Sequence, residues 1–332
     1  MSDGAAVLAE VWRGDVLEAV VRGHVAAVDS ENRLLAWCGD PDARTTLRST
    51  VKPLQALAFV DGGAASFFGV SVEELAIACA SHDGEPRHVE TVRRLLARVD
   101  LDDSALSCGA HWPYSEAASR ALAAAGEIAG PVHNNCSGKH AAMLCACVHS
   151  GWPVEGYAGY EHPLQRYIRR RMSDLAGIRL SDTPHGIDGC GLPTHGVPLR
   201  YLARMFASGS SSGGGFQRCQ EAMAAAPYMV GGAGRFDTLL LSWAGATLTA
   251  KSGGGAVWAC VMRGRAMAVA VKLEAGVGTS LPPVVMAVLR QLDVLPSSAM
   301  PDDLAALSEG VLHNWAGEAV GTTRVDVRLE RA

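Results

Sequence analysis

The sequence predicts an α/β fold of the α+β kind. One antiparallel sheet is assembled from both ends of the chain, and the middle is mostly helical. Three observations point there. Val-rich segments broken by turns open the chain, a second set of such segments closes it, and helix-periodic stretches fill the space between. The short spacings within each set favour antiparallel pairing, because parallel strands need long crossovers. The expected organisation is a single domain over residues 1–332. Its sheet comes from about 1–45 and 245–332, and its helical region from about 46–244.

Taken in order, "VLEAVVRG" and "HVAAVD" read as strands, "SEN" at 30–32 as a turn, and "RLLAWCG" as a third strand. "SVEELAIACAS" opens with a capping box from Ser71 to Glu74. There the serine oxygen and the glutamate each take a backbone N–H that the first helical turn leaves open. "EPRHVETVRRLLARV" has helical spacing, and "SEAASRALAAAG" is a helix stopped by Gly126. "GKHAAMLCACVHSG" and "HPLQRYIRRRMSDLAG" are further helices. "SGSSSGGGF" at 208–216 is expected to be a surface loop. "ATLTAKSG", "AVWACVMR" and "AMAVAVKLE" read as a meander. A helix, "PPVVMAVLRQLDVL", a short helix near 301–308 and a last strand, "TTRVDVRLE", finish the chain.

Composition excludes several classes. With 332 residues the chain can bury a sizeable core, and 48% apolar with 19% charged residues is ordinary for a globular protein. A net charge of -5 and no basic run beyond "RRR" at 169–171 give nucleic acid nothing to bind. No stretch is long and apolar enough for a membrane span, and the N-terminus lacks the pattern of an export signal. The nine cysteines are scattered, so the expected setting is a reduced cytoplasm.

Three short pieces could do chemistry together. "STVK" at 49–52 puts Ser49 three residues before Lys52. "SHD" at 81–83 follows a helix, and "KSG" at 251–253 ends a strand. On a helix, Ser49 and Lys52 would share a face. A serine is a poor nucleophile until a neighbour takes its proton, and a lysine can do so only when its own pKa falls. Alone, "STVK" also fits a plain helix start with Pro53 in the first turn. The ordered trio parallels the S-x-x-K, S-D-N and K-T-G set of penicillin-interacting serine enzymes. A second constellation is "HNNCSGKHAAML" at 133–144 with "GIDGCGLPTHG" at 186–196. Cys136, Lys139, His140, Asp188, Cys190 and His195 could converge on zinc. Two structural cysteines beside glycine-rich turns is the other reading. "SGK" is no P-loop, because the first glycine of that motif is missing.

Taken together, "RSTVKPLQAL", "CASHDGEPRHV", "CGAHWP", "HNNCSGKHAAML", "GIDGCGLPTHGVPL" and "GRFDTLL" resemble the asparaginase II family, the rhizobial-type or class 3 L-asparaginases. The motifs run from residue 48 to about 255. The resemblance implies a fold similar to serine β-lactamases and glutaminases. It implies an amidohydrolase that converts L-asparagine to L-aspartate and ammonia as a homodimer. It makes Ser49 with Lys52 one catalytic pair and Ser81 with Lys251 a second. It makes Cys136, Lys139 and Cys190 zinc ligands, and places Arg48, His140 and Asp188 near the substrate. One position departs: Gly255 stands where the family's Gly-Ala-Glu-Gly has its glutamate. An acid there would grip the α-ammonium group of an amino acid. Other readings share these residues. They are a penicillin-interacting hydrolase or esterase, a zinc hydrolase, and a non-catalytic amino-acid-binding sensor.

Overall fold

The computed structural model describes residues 4–265, 267–276 and 278–332. The chain forms two compact units. The first holds residues 1–50, 196–211 and 239–332, and the second 51–195 and 212–238. The strands are β1 Ala6–Arg13, β2 Val16–Val28, β3 Leu34–Cys38, β4 Arg44–Thr46, β5 His185–Ile187, β6 Pro193–Pro198, β7 Leu248–Gly253, β8 Val257–Met262, β9 Met267–Leu273, β10 Val311–His313, β11 Ala319–Val325 and β12 Glu330–Arg331.

The first unit is built on one antiparallel sheet in the order β10-β11-β1-β2-β9-β8-β7, with β3 pairing both β2 and β12. Its joint is β2 with β9, where Val25 faces Val271 and Ala26 faces Ala270. The two ends of the chain therefore meet in one sheet, as the strand pattern predicts. The segments read separately as "VLEAVVRG" and "HVAAVD" are one strand of 13 residues. Gly23 sits at the junction. A Cβ there would fall 2.2 Å from Lys272 O, so β9 can approach only a glycine. β8, "VWACVM", is buried at every residue, which explains its unbroken apolar run. Helix Leu281–Gln291 adds Leu281, Val284, Val285, Val288 and Leu289 to the core, and helix Leu199–Ser212 adds Leu202, Met205 and Phe206.

The serine-rich stretch at 208–216 is not a surface loop. Helix Leu199–Ser212 runs through its first half, and helix Gly215–Ala225 begins at its end. Only Gly213 and Gly214, both with φ of +66°, form the turn. Gly209 is buried and Ser208 Oγ donates to Ser30 O at 3.1 Å, so packing overrides composition.

The second unit is helical. Its centre is helix Ser137–Ser150, buried from Ser137 to Cys147 and packed against helices Val72–Ala78 and Pro86–Ala97. Gly138 permits the closest approach, since a Cβ there would lie 2.4 Å from Ile77 O. Helix Val72–Ala78 opens with the expected Ser71–Glu74 capping box. Glu74 is 1% exposed and takes a two-pronged ion pair from Arg98 at 2.8 and 2.9 Å. No helix among the described residues is long and apolar enough to cross a membrane.

Candidate active site

The second unit gathers most of the residues singled out by sequence. Lys52 begins helix Lys52–Gln55, whose start is set by Pro53 and whose side chains are all buried. The Lys52 side chain is fully buried. Its Nζ donates to Ala80 O at 2.5 Å, to Ser81 Oγ at 2.9 Å and to Asn135 O at 3.4 Å. Burying an ammonium without partners would cost several kcal/mol, so this fan of oxygens is what makes the site tolerable. Ser81 is held in turn. Its N–H donates to Val230 O at 3.0 Å, and the next N–H, of His82, donates to Asn135 O at 3.2 Å. The two carbonyls that flank the lysine are thus tied to the segment that carries the serine.

Cys136 and Lys139 sit at the start of helix Ser137–Ser150, and Cys190 comes from a tight loop. That loop is closed by Gly191 N–H to Asp188 O and Asp188 N–H to Leu192 O, each at 2.8 Å. Lys139 Nζ donates to Cys190 Sγ at 3.1 Å. The Cys136 sulfur is the more acidic of the two. Its pKa falls well below the usual thiol range because the Cys190 thiol hydrogen-bonds to it, and Lys52 and Lys139 add positive charge. The same hydrogen bond, with burial, pushes the Cys190 thiol up. Burial works against a charged Lys139, but the two sulfurs and Asp188 hold its pKa up. Among the described residues no three His, Cys, Asp or Glu side chains gather as a metal cage. The donors that meet are two sulfurs and one amine.

Two histidines complete the surroundings. His82 Nδ1 accepts from Gly84 N–H at 3.1 Å, so its Nε2–H donates to Ser137 Oγ at 2.9 Å. Ser137 passes its own hydroxyl hydrogen to Val132 O at 2.8 Å. This fixes the first turn of the helix bearing Cys136 and Lys139. Burial drives the His82 pKa down and keeps the ring neutral. His140 lies 2.6 Å from Tyr157 OH through Nδ1. Tyr157 OH accepts from Ser107 N–H at 3.0 Å and so donates to His140. His140 Nε2 is buried and has no hydrogen-bond partner among the described residues. Such an atom is costly unless something else fills the role, and a bound ligand is the natural candidate.

Arg48, Ser49 and Lys251 belong to the first unit. Arg48–Val51 is a 3-10 turn rather than the α-helical face expected for Ser49, and Lys52 opens the helix that follows. Arg48 has φ of +46°, a left-handed conformation that is rare for a residue with a side chain. Lys251 on β7 is buried and donates from Nζ to Ser252 O at 2.8 Å. The lysine–serine hydrogen bond seen in the second unit therefore joins Lys52 to Ser81, members of two different pairs in the sequence reading. Asn135 and Tyr157 were missed by that reading. Asn135 acts through its backbone carbonyl, which carries no side-chain signal, and Tyr157 lies in a segment without a motif.

A chain with a buried lysine on a serine, a hydrogen-bonded cysteine pair beside them and an orphaned imidazole has the equipment of a hydrolase site. The family model of L-asparaginase II matches residues 9–325, nearly the whole chain, and the chain belongs to that family. Membership makes it a hydrolase acting on amides. No curated protein matches the chain by sequence. Among solved structures, Mglu in its native form is 14% identical over 84% of this chain and 67% of its own, with a TM-score of 0.47. A β-lactamase from Mycobacterium bovis is 14% identical over 81% of this chain and 94% of its own, with a TM-score of 0.40.

Proposed function

We propose that the protein hydrolyses the side-chain amide of L-asparagine to L-aspartate and ammonia through a serine activated by lysine. The observation that carries this is the 2.9 Å hydrogen bond between Lys52 Nζ and Ser81 Oγ in a buried setting. Lys52 acts as a base only after its buried ammonium has given up one proton, and the neutral amine then has two N–H bonds and one lone pair. Ala80 O and Asn135 O can take the two N–H bonds, which leaves the lone pair for the Ser81 hydroxyl hydrogen. Ser81 Oγ then attacks the amide carbon as its proton passes to Lys52. The C–N bond breaks as Lys52 returns that proton to the leaving nitrogen, and ammonia departs. Water cleaves the resulting ester, with Lys52 again taking the proton. The sequence reading proposed Ser49 for this attack and left open whether Ser49 or Ser81 makes the covalent bond. The 2.9 Å hydrogen bond supports Ser81 in that role.

Cys136, Lys139 and Cys190 fit a zinc ion by donor chemistry. A thiolate, a thiol that loses its proton readily to a metal, and an amine converge there. Zinc, when bound, would supply Lewis acidity and a fixed anchor for the substrate. His140, with its unsatisfied Nε2, and Asp188 would face that substrate. The same resemblance extends the reading to a homodimer, and the scattered cysteines to a reduced cytoplasm.

Ammonia release from asparagine tests this. Ser81→Ala is expected to lower kcat about 10³-fold or more, the scale of losing an activated nucleophile. Near-parent rates in both Ser81→Ala and Ser49→Ala would sink the serine mechanism.

A further inference from the structure

Among the sequence motifs, "GRFDTLL" at 234–240 carries neither the lysines nor the cysteines of the site. Its arginine nonetheless reaches the strip that bears Ser81. Residues 81–85 form no helix or strand, so that strip takes its position from what it touches. Much of what it touches is the segment 228–235. Ser81 N–H donates to Val230 O at 3.0 Å. Tyr228 OH donates to one Glu85 carboxylate oxygen, and Ala233 N–H donates to the other at 3.4 Å. His88 Nδ1 accepts from Glu85 N–H at 3.2 Å, so its Nε2–H donates to Tyr228 O at 3.1 Å. Arg235 Nη1 lies 3.0 Å from Asp83 Oδ1, and only 7% of the Asp83 side chain is exposed. Gly232, with φ of +123°, lets the two segments meet, since a Cβ there would fall 3.1 Å from both Asp83 Cβ and Glu85 Oε1.

We propose that Arg235, through its ion pair with Asp83, is a positioning residue for Ser81. The inference rests on the reading of Ser81 as the nucleophile. A buried carboxylate is held in place by its counter-charge, and Arg235 is the one charged residue of 228–235. Ser81 and Asp83 share one strip, so the pull of Arg235 on Asp83 sets where that strip lies. It keeps Ser81 Oγ 2.9 Å from Lys52 Nζ, the contact on which proton transfer depends. The remaining ties act through neutral backbone groups or at Glu85, further from the serine. Arg235 touches neither Ser81 Oγ nor Lys52 Nζ in this arrangement, so its effect falls on the alignment of the reacting atoms. Misalignment slows the chemical step far more than it weakens substrate binding.

Two assays on the full chain test this. The first is ammonia release from asparagine. Arg235→Met is expected to lower kcat about tenfold while KM stays within about twofold. Arg235→Lys should bring kcat back to within about threefold of the parent, because a single Nη1 contact can be replaced by an amine. An Arg235→Met that keeps kcat within about twofold of the parent overturns the proposal, and so does an Arg235→Lys as slow as Arg235→Met. The second assay is the rate at which a fluorophosphonate labels Ser81, which needs no amide. There Ser81 Oγ bonds to phosphorus, its proton passes to Lys52, and fluoride leaves. Arg235→Met should slow labelling about tenfold, and an unchanged rate overturns the proposal. If Arg235→Met does not fold, Asp83→Asn takes its place, since it keeps the shape and removes the charge. A parent-like labelling rate in Asp83→Asn overturns the proposal equally. Labelling of the parent without ammonia release would remove the amide-hydrolase reading and leave the positioning role to be decided by the labelling rates. A parent whose Ser81 takes no label overturns the positioning role, whether or not ammonia is released.

Discussion

The two units solve different problems with the same chain. The first buries hydrocarbon. β8 is apolar from end to end, helix Leu281–Gln291 lays Val284, Val285 and Val288 into the core, and its ion pair Arg13–Glu18 stays half exposed. The second buries chemistry. Lys52, Lys139, His82, His140, Cys136 and Cys190 are all buried, and so is the structural carboxylate Glu74. Charges inside a protein weaken it unless each is paired, and even then a hydrophobic substitute would often do better. The contrast teaches that the helical unit holds its buried polar groups for a purpose other than stability, while the sheet unit, apart from Lys251 and His24, is mostly ordinary packing.

The ion pairs give the sharpest way to break this comparison. Glu74→Ala removes the carboxylate that both caps helix Val72–Ala78 and pairs with Arg98. A loss of about 3 kcal/mol is expected by urea unfolding, since a buried pair is broken but Arg98 keeps some access to water. Glu18→Ala in the sheet unit should cost less than about 0.5 kcal/mol, because its pair is exposed. Similar losses in the two variants would erase the distinction.

Acid should act next, and unevenly. His195 is buried, and its pKa is pushed from 6.5 down to about 4 by burial, with His185 and Arg169 adding to the effect. Burial likewise lowers His82, His88 and His140. A depressed histidine pKa means that the unfolded chain binds more protons than the folded one below pH 6.5. The stability from these neutral rings is therefore full above that pH and lost as pH falls towards 4. Hydrogen exchange at pH 5 should show helix Ser137–Ser150 losing protection before β8 does. Loss in β8 first would reverse the comparison.

Much of this was legible in the sequence, for reasons that follow the same divide. The sheet was readable because Val-rich hairpins announce themselves locally, and the Ser71 capping box was readable because all its atoms lie within one turn. The stretch at 208–216 misled because serine and glycine composition cannot report that Gly209 would be buried. In the candidate site, Cys136, Lys139 and Cys190 were named from long motifs and do converge. The hydrogen bond from Lys52 to Ser81 was not readable. Spacing along the chain pointed to Ser49, whereas the bond to Ser81 spans 29 residues and depends on how helices pack. The sequence reading gave His82 no role within "SHD", yet it locks Ser137 at the head of the helix that carries two of the proposed zinc ligands.

The central claim is that Lys52 is a base for serine and not merely a buried strut. The direct measurement is the pre-steady-state rate of ammonia release from asparagine by Lys52→Met, with folding checked by circular dichroism. The account predicts a folded protein whose rate falls about 10³-fold or more, in step with Ser81→Ala. A folded Lys52→Met that releases ammonia within about threefold of the parent would contradict it.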